Sequence, residues 1–178
     1  MSIKPELNDL VLRNRDDGTS SVNEVSLERA TIKDAEALFE MQVKAFTPLM
    51  EMYKDYAINP ANETIDRVIA RITNPNGVFY KILLDTKPIG GICIFWKEEA
   101  RFWISPMFIL PEYQGQGVAK KTILLAEESF SQAVSWELAT ILEEKRNCHL
   151  YEKMGYVLTG EKRRINEHTT LVYYKKGM

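Results

Sequence analysis

An apolar run, Met107-Phe108-Ile109-Leu110, leads into Pro111-Glu112-Tyr113-Gln114-Gly115-Gln116-Gly117-Val118-Ala119-Lys120, and a long amphipathic segment follows. This order reads as a strand, a glycine loop and the start of a helix. Glycine lets the backbone approach a ligand closely. A helix N-terminus presents unpaired N–H groups and the positive end of the helix dipole. Together they form a site for phosphate groups.

Which phosphate ligand is set by the spacing of the glycines. A P-loop needs two glycines five places apart, followed by Lys and Ser or Thr. Gly115 and Gly117 are too close for that. A dinucleotide fingerprint needs Gly-x-Gly-x-x-Gly or Ala, and the third place here is Lys120, too bulky for close helix–strand packing. The run Gln114-x-x-Gly117-x-Ala119 resembles the coenzyme A pyrophosphate loop of the GNAT N-acetyltransferase superfamily. Downstream, Asn147-Cys148-His149-Leu150-Tyr151-Glu152-Lys153-Met154-Gly155-Tyr156 is similar to that family's Tyr-Glu-Lys-x-Gly-Phe/Tyr signature with its preceding Asn. The two motifs occur in the family's order, with one strand-like run between them. One departure concerns Asn147, which lies four places before Tyr151 where the family Asn lies six or seven.

The resemblance spans about residues 25 to 176. It implies an α/β (α+β) fold with a mixed, mostly antiparallel central sheet, flanked by helices and splayed at the acetyl-CoA cleft. Residues 25–178 would form that domain. Residues 1–24 would be a lead-in, polar and turn-rich around Arg13–Ser21, with Leu7, Leu10, Val11 and Leu12 able to dock as a short helix.

Local patterning gives the elements. Val25–Ala30 alternates as a half-buried strand does. Thr31 and Asp34 have capping-box spacing before a helix near 32–46. Pro48 suits the first turn of a further short helix. Ile65, Val68, Ile69 and Ile72 mark another helix, ended by Asn74–Gly77. Strands are expected over Val78–Leu84, Pro88–Trp96 and Arg101–Leu110, with a hairpin turn at Asp85-Thr86-Lys87. Ala119, Ile123, Ala126, Phe130 and Ala133 fall at helical spacing. A strand over Trp136–Leu142, a helix over Arg146–Met154 stopped by Gly155, and strands over Tyr156–Gly160 and Thr169–Tyr174 complete the chain.

The chemistry implied is transfer of an acetyl group from acetyl-CoA to an amine by direct transfer in a ternary complex. On this reading the pyrophosphate lies on Gln114, Gly115, Gln116, Gly117, Val118, Ala119 and Lys120, and Asn147 is a further cofactor contact. Backbone groups of Phe108, Ile109 and Leu110 would bond the pantetheine arm, as an added strand does. The N–H of Phe108 or of Ile109 would stabilise the tetrahedral oxyanion. Tyr151 would donate a proton to the departing thiolate. An alkylamine has a pKa of about 10.4 and arrives as ammonium, so a base is useful. Glu137, beside Trp136 at the start of a strand bordering the cleft, is the candidate. The acceptor pocket would draw on Tyr53, Tyr56, Trp96, Arg101 and Trp103.

Composition narrows the alternatives. A net charge of −2 disfavours a nucleic-acid reader. No apolar run approaches a membrane span, and the N-terminus does not read as a signal peptide. Cys93 and Cys148 suggest neither a disulfide framework nor a zinc site, so no metal is expected and a reducing cytoplasm is the default location. Proteins of this family are often dimers, which admits a homodimer. Two competing readings stand beside the enzyme: a non-catalytic acyl-CoA-binding regulator on the same fold, and a dinucleotide-binding oxidoreductase, which Lys120 and the antiparallel strands upstream oppose.

Overall fold

The computed structural model describes the backbone of residues 12–13 and residues 24–178. The expectation of a short docked helix near Leu7–Leu12 falls largely outside these residues; Leu12–Arg13 form a short strand, β1. The strands that follow are β2 (Val25–Arg29), β3 (Gly77–Leu84), β4 (Lys87–Lys97), β5 (Arg101–Ile109), β6 (Ser135–Ile141), β7 (Val157–Asn166) and β8 (Thr169–Gly177). The helices are α1 (Ala35–Tyr53), α2 (Ile65–Thr73), α3 (Val118–Ser129) and α4 (Lys145–Lys153).

Eight strands form one sheet in the order β1-β2-β3-β4-β5-β6-β8-β7. Every pairing is antiparallel except β5 with β6. This is the mixed, mostly antiparallel sheet with flanking helices that the family resemblance implies.

Strand alternation separates two cores. Phe79, Cys93 and Phe108 pack with Leu38, Ala45 and Val68 of α1 and α2. Their sequence neighbours Val78, Tyr80, Ile92 and Ile94 pack on the other face with Ile123 and Ala126 of α3 and Tyr151 of α4. The sheet is therefore covered on both sides, which explains why β3 and β4 are apolar nearly throughout.

Three local expectations are corrected. The helix expected to end near residue 46 and the one expected from Pro48 are a single helix, α1, with Pro48 inside it. Proline removes one backbone donor. Next to it, the Thr47 hydroxyl donates to the Val43 carbonyl at 2.6 Å, and the helix ends only at Lys54, in a left-handed conformation. The helix after the glycine loop ends at Ser129, so Phe130 and Ala133 belong to the turn beyond it, although both stay buried. The strand expected to end at Gly160 continues: β7 reaches Asn166 and the turn is Glu167–His168. The Asp85–Thr86 hairpin and the Thr31–Asp34 box are present, the latter through the Thr31 N–H donating to Asp34 Oδ2 at 2.8 Å.

One feature of β5 positions everything that follows. Ile104 pairs with Ile94 and Met107 with Ile92, so Ser105 and Pro106 together oppose Cys93. This is a β-bulge, which bends its strand. β5 pairs with β6 only over Arg101–Trp103 against Ser135–Glu137. Beyond that, the two strands part.

Candidate active site

The gap between β5 and β6 opens into a cleft of about 630 Å³. Its walls come from the C-terminal half of α1, from Met107–Ile109 of β5, from the glycine loop with the first turn of α3, and from one face of α4.

The glycine loop is built as an anion cradle. Gly115 and Gly117 both have positive φ, 75° and 78°, a conformation in which a side chain is strained. A Cβ on Gly117 would meet no protein atom within 4 Å, so the space above it is open to a ligand. Gly117 is the N-cap of α3 and offers no side-chain cap. Lys121 N–H donates to the Gly117 carbonyl at 3.2 Å, which leaves the N–H groups of Val118, Ala119 and Lys120 without helical acceptors. No acidic residue sits in this first turn. Lys120 and Arg146 line the same part of the cleft, and a Cβ on Gly115 would lie 3.6 Å from Arg146 Nη2. Backbone donors, dipole and two cations thus converge, which fits a polyanionic pyrophosphate.

The open edge of β5 supplies the next part. Leu110 N–H donates to the Ile89 carbonyl at 2.8 Å, which makes Leu110 and Ile89 a hydrogen-bonded pair. By alternation Phe108 exchanges its bonds with Gly91, and the N–H groups of Met107 and Ile109 face the parted side. The Ile109 carbonyl accepts from Gln114 Nε2 at 2.9 Å, which folds the loop back onto the strand. Of the two amides considered for the oxyanion, Ile109 is therefore the one facing the cleft. Leu110 does not line the cleft, and its N–H is used within the sheet.

Tyr151 lines the cleft at 8% exposure. Its ring packs against Tyr156 and Tyr174. Its hydroxyl makes no hydrogen bond to the described residues. Burial pushes the phenol up to about 12, so it stays protonated, and able to donate, at neutral pH.

Ten of the thirteen residues singled out in the sequence line the cleft: Phe108, Ile109, Gln114, Gly115, Gly117, Val118, Ala119, Lys120, Asn147 and Tyr151. Gln116 does not; its amide donates to the Glu112 carbonyl at 3.2 Å in the exposed loop. Nor does Glu137. It pairs with Trp103 where β5 and β6 are still joined, and its carboxylate lies 3.5 Å from Arg101 Nε. Trp136 points into the core against Phe102 and Phe130, and alternation turns Glu137 to the opposite face. No residue of the strand carrying Glu137 lines the cleft, which opens beyond the stretch where that strand pairs with β5. Among the acceptor candidates, Tyr53 lines the cleft and Tyr56, Trp96, Arg101 and Trp103 do not.

Sequence reasoning missed Arg146 and Glu144. Glu144 is the N-cap of α4, three places before Asn147 and seven before Tyr151, and all three line the cleft. That spacing puts them on one helix face. The signal was available in the helix period once α4 was extended back to its cap.

The Acetyltransferase (GNAT) family is matched over residues 36–156. The chain belongs to this family. The uncharacterized protein YrkN of Bacillus subtilis (strain 168) is 28% identical over 141 residues, covering 78% of this chain and 76% of that protein. Among solved structures, the PaiA N-acetyltransferase of Thermoplasma acidophilum in complex with coenzyme A superposes with a TM-score of 0.70 at 15% identity, over 85% of this chain and 99% of that one. A putative streptothricin acetyltransferase of Bacillus anthracis in complex with acetyl coenzyme A gives 0.53 at 22% identity, over 61% and 67%. These likenesses establish the shared fold. No helix among the described residues is long and apolar enough to cross a membrane.

Proposed function

We propose that this protein transfers the acetyl group of acetyl-CoA to a primary amine, directly, in a ternary complex. One observation carries the reading: a single cleft joins the anion cradle of α3, the edge of β5 that β6 leaves uncovered and the hydroxyl of Tyr151. The pyrophosphate lies on Gly117 and the first N–H groups of α3, with Lys120 and Arg146 as counter-charges. The pantetheine amides add to the edge of β5 as an extra strand would. This places the thioester beside Ile109 and Tyr151.

The amine, once it has given up its ammonium proton, attacks the thioester carbon. A C–N bond forms, and the carbonyl oxygen becomes an oxyanion that accepts from the Ile109 N–H. The C–S bond then breaks. The leaving sulfur takes a proton through Tyr151, and the phenol recovers one equivalent to the second proton shed by the nitrogen. The products are an N-acetyl amide and coenzyme A, with one proton released from the original ammonium.

The test is to mix the protein with acetyl-CoA and a panel of amines, following free thiol release and acetylated product by mass spectrometry. Amine-dependent thiol release with a matching product is expected. Binding of coenzyme A without transfer to any amine would instead make the protein an acyl-CoA-binding module.

A further inference from the structure

The two ends of the cleft differ in chemistry. Its cations, Lys120 and Arg146, sit at the glycine loop. The opposite wall is the last two turns of α1: Phe46, Pro48, Leu49, Met52 and Tyr53, apolar apart from one phenol hydroxyl. Phe46 meets Phe108 edge-on at 6.0 Å, which fixes this wall to β5. Met52 is 67% exposed, so the wall continues to the surface.

Among the described residues lining the cleft, Glu144 is the one carboxylate. It occupies the N-cap of α4 but makes no side-chain cap hydrogen bond, so its charge is not used to terminate its own helix. Instead Oε2 accepts from the Tyr53 hydroxyl at 2.9 Å, across the cleft from α1. Oε1 has no hydrogen-bond partner, and no cation pairs with Glu144, among the described residues. A half-buried carboxylate with a free oxygen facing an apolar wall is unexplained by the fold alone. It is well matched to a small cation carried on an apolar body.

We infer that the acceptor is a primary ammonium on an apolar, otherwise uncharged body, with Glu144 holding the ammonium and the α1 wall holding the body. This rests on the acetyl-transfer reading above. Glu144 also receives the proton that the ammonium must lose, becoming a carboxylic acid that gives the proton to solvent after turnover. Amines that carry their own carboxylate would meet Glu144 with like charge and find no cation on that wall. Polyamines would meet one carboxylate where they need several.

The experiment uses the full chain and acetyl-CoA. The acceptors are an arylalkylamine, a linear alkylamine, a polyamine, an amino acid and an arylamine that is uncharged at pH 7. The arylalkylamine and alkylamine should show the highest kcat/KM. Glu144→Gln should lower kcat/KM for these ammonium acceptors about 10- to 100-fold more than for the neutral arylamine, the range expected for a lost charged hydrogen bond. Met52→Asp should weaken the apolar acceptors and leave coenzyme A affinity, measured by calorimetry, near wild type. Calorimetry on Glu144→Gln checks that the cleft remains formed. Equal losses for charged and neutral acceptors, or preference for the amino acid or polyamine, would overturn the inference while leaving acetyl transfer in place. Transfer to none of the five, with acetyl-CoA still bound, would overturn the proposed function and the inference with it.

Discussion

Gly90 and Gly91 of β4 lie opposite Ile109 and Phe108, the residues that line the cleft. A Cβ on Gly90 would sit 2.1 Å from the Phe108 carbonyl oxygen and 3.1 Å from the Ile109 Cα. Both are backbone atoms, so no rotamer change relieves the clash. To reach even 3.0 Å, β4 and β5 must separate by nearly an ångström. Forced overpacking of this kind costs about 1–3 kcal/mol, and the upper end applies where backbone must move. For a chain of this length each kcal/mol lowers Tm by roughly 2–4 °C, so Gly90→Ala should melt roughly 6–12 °C below wild type. Moving Phe108–Ile109 also moves the Ile109 N–H that faces the thioester in the proposed complex. An error of about 1 Å in such a group costs about 10²-fold in rate. Differential scanning fluorimetry and acetyl-transfer kinetics on Gly90→Ala measure both effects. Gly177→Ala is the control: a Cβ there meets nothing within 4 Å and φ is unstrained, so Tm should hold or rise slightly. A Gly90→Ala protein that melts within a degree of wild type and keeps full activity would refute the close approach and the dependence of the site on it.

Other substitutions separate catalysis from stability. Tyr151→Phe should lower kcat about 10²-fold with little change in acetyl-CoA affinity; because the phenol is pushed up to about 12, wild type should show no loss of rate from this group as pH rises to 10. Lys176→Met should destabilise the fold by about 2–4 kcal/mol in urea denaturation, since it strands Glu127, 6% exposed, which Lys176 Nζ meets at 2.9 Å and the Tyr156 hydroxyl at 3.2 Å; Glu127→Gln combined with Lys176→Met should recover much of that loss. Burial tends to raise Asp34, but the Thr31 N–H and Lys81 outweigh it and hold its carboxyl below 3.8. Asp34→Asn should therefore cost about 1 kcal/mol at pH 7. That gap in Tm should close as pH falls below 3.8, where the native carboxylate is progressively protonated and its advantage lost.

The fold was legible because its signals are local. Alternation announced the strands, helical spacing announced α2 and α3, and Gly115 and Gly117 announced the turn into α3. What escaped was set by contacts between distant segments. Pro48 looked like a helix start, since its missing N–H is harmless there, yet α1 runs through it against β4 and β5. Glu137 looked like a base because its strand is expected to border the cleft. Which end of a strand opens is decided by where its pairing stops, and no residue of β6 records that. Glu144 drew no notice because the cap of a short helix is an ordinary place for an acid. Only Tyr53, 91 positions away, reveals that its carboxylate faces across the cleft.

The point where β5 leaves β6 does have a sequence signal. Pro106 lies inside a run otherwise suited to a strand, and proline within a sheet marks an edge or a bulge. Here it marks the bulge with Ser105 opposite Cys93. A parallel pair with β6 could have continued past Trp103, satisfying the amides of Met107 and Ile109 with protein carbonyls. The extra residue bends β5 before that can happen. Backbone donors that most sheets would bury in a ladder remain without a partner among the described residues, on the wall of the cleft. In the proposed complex the pantetheine amides satisfy them, and the anion cradle at the end of the same strand fixes which way the cofactor runs. On the proposed reading, the glycine loop, the edge of β5 beyond the bulge and the Tyr151 hydroxyl are successive contacts along a single ligand path, from pyrophosphate to thioester.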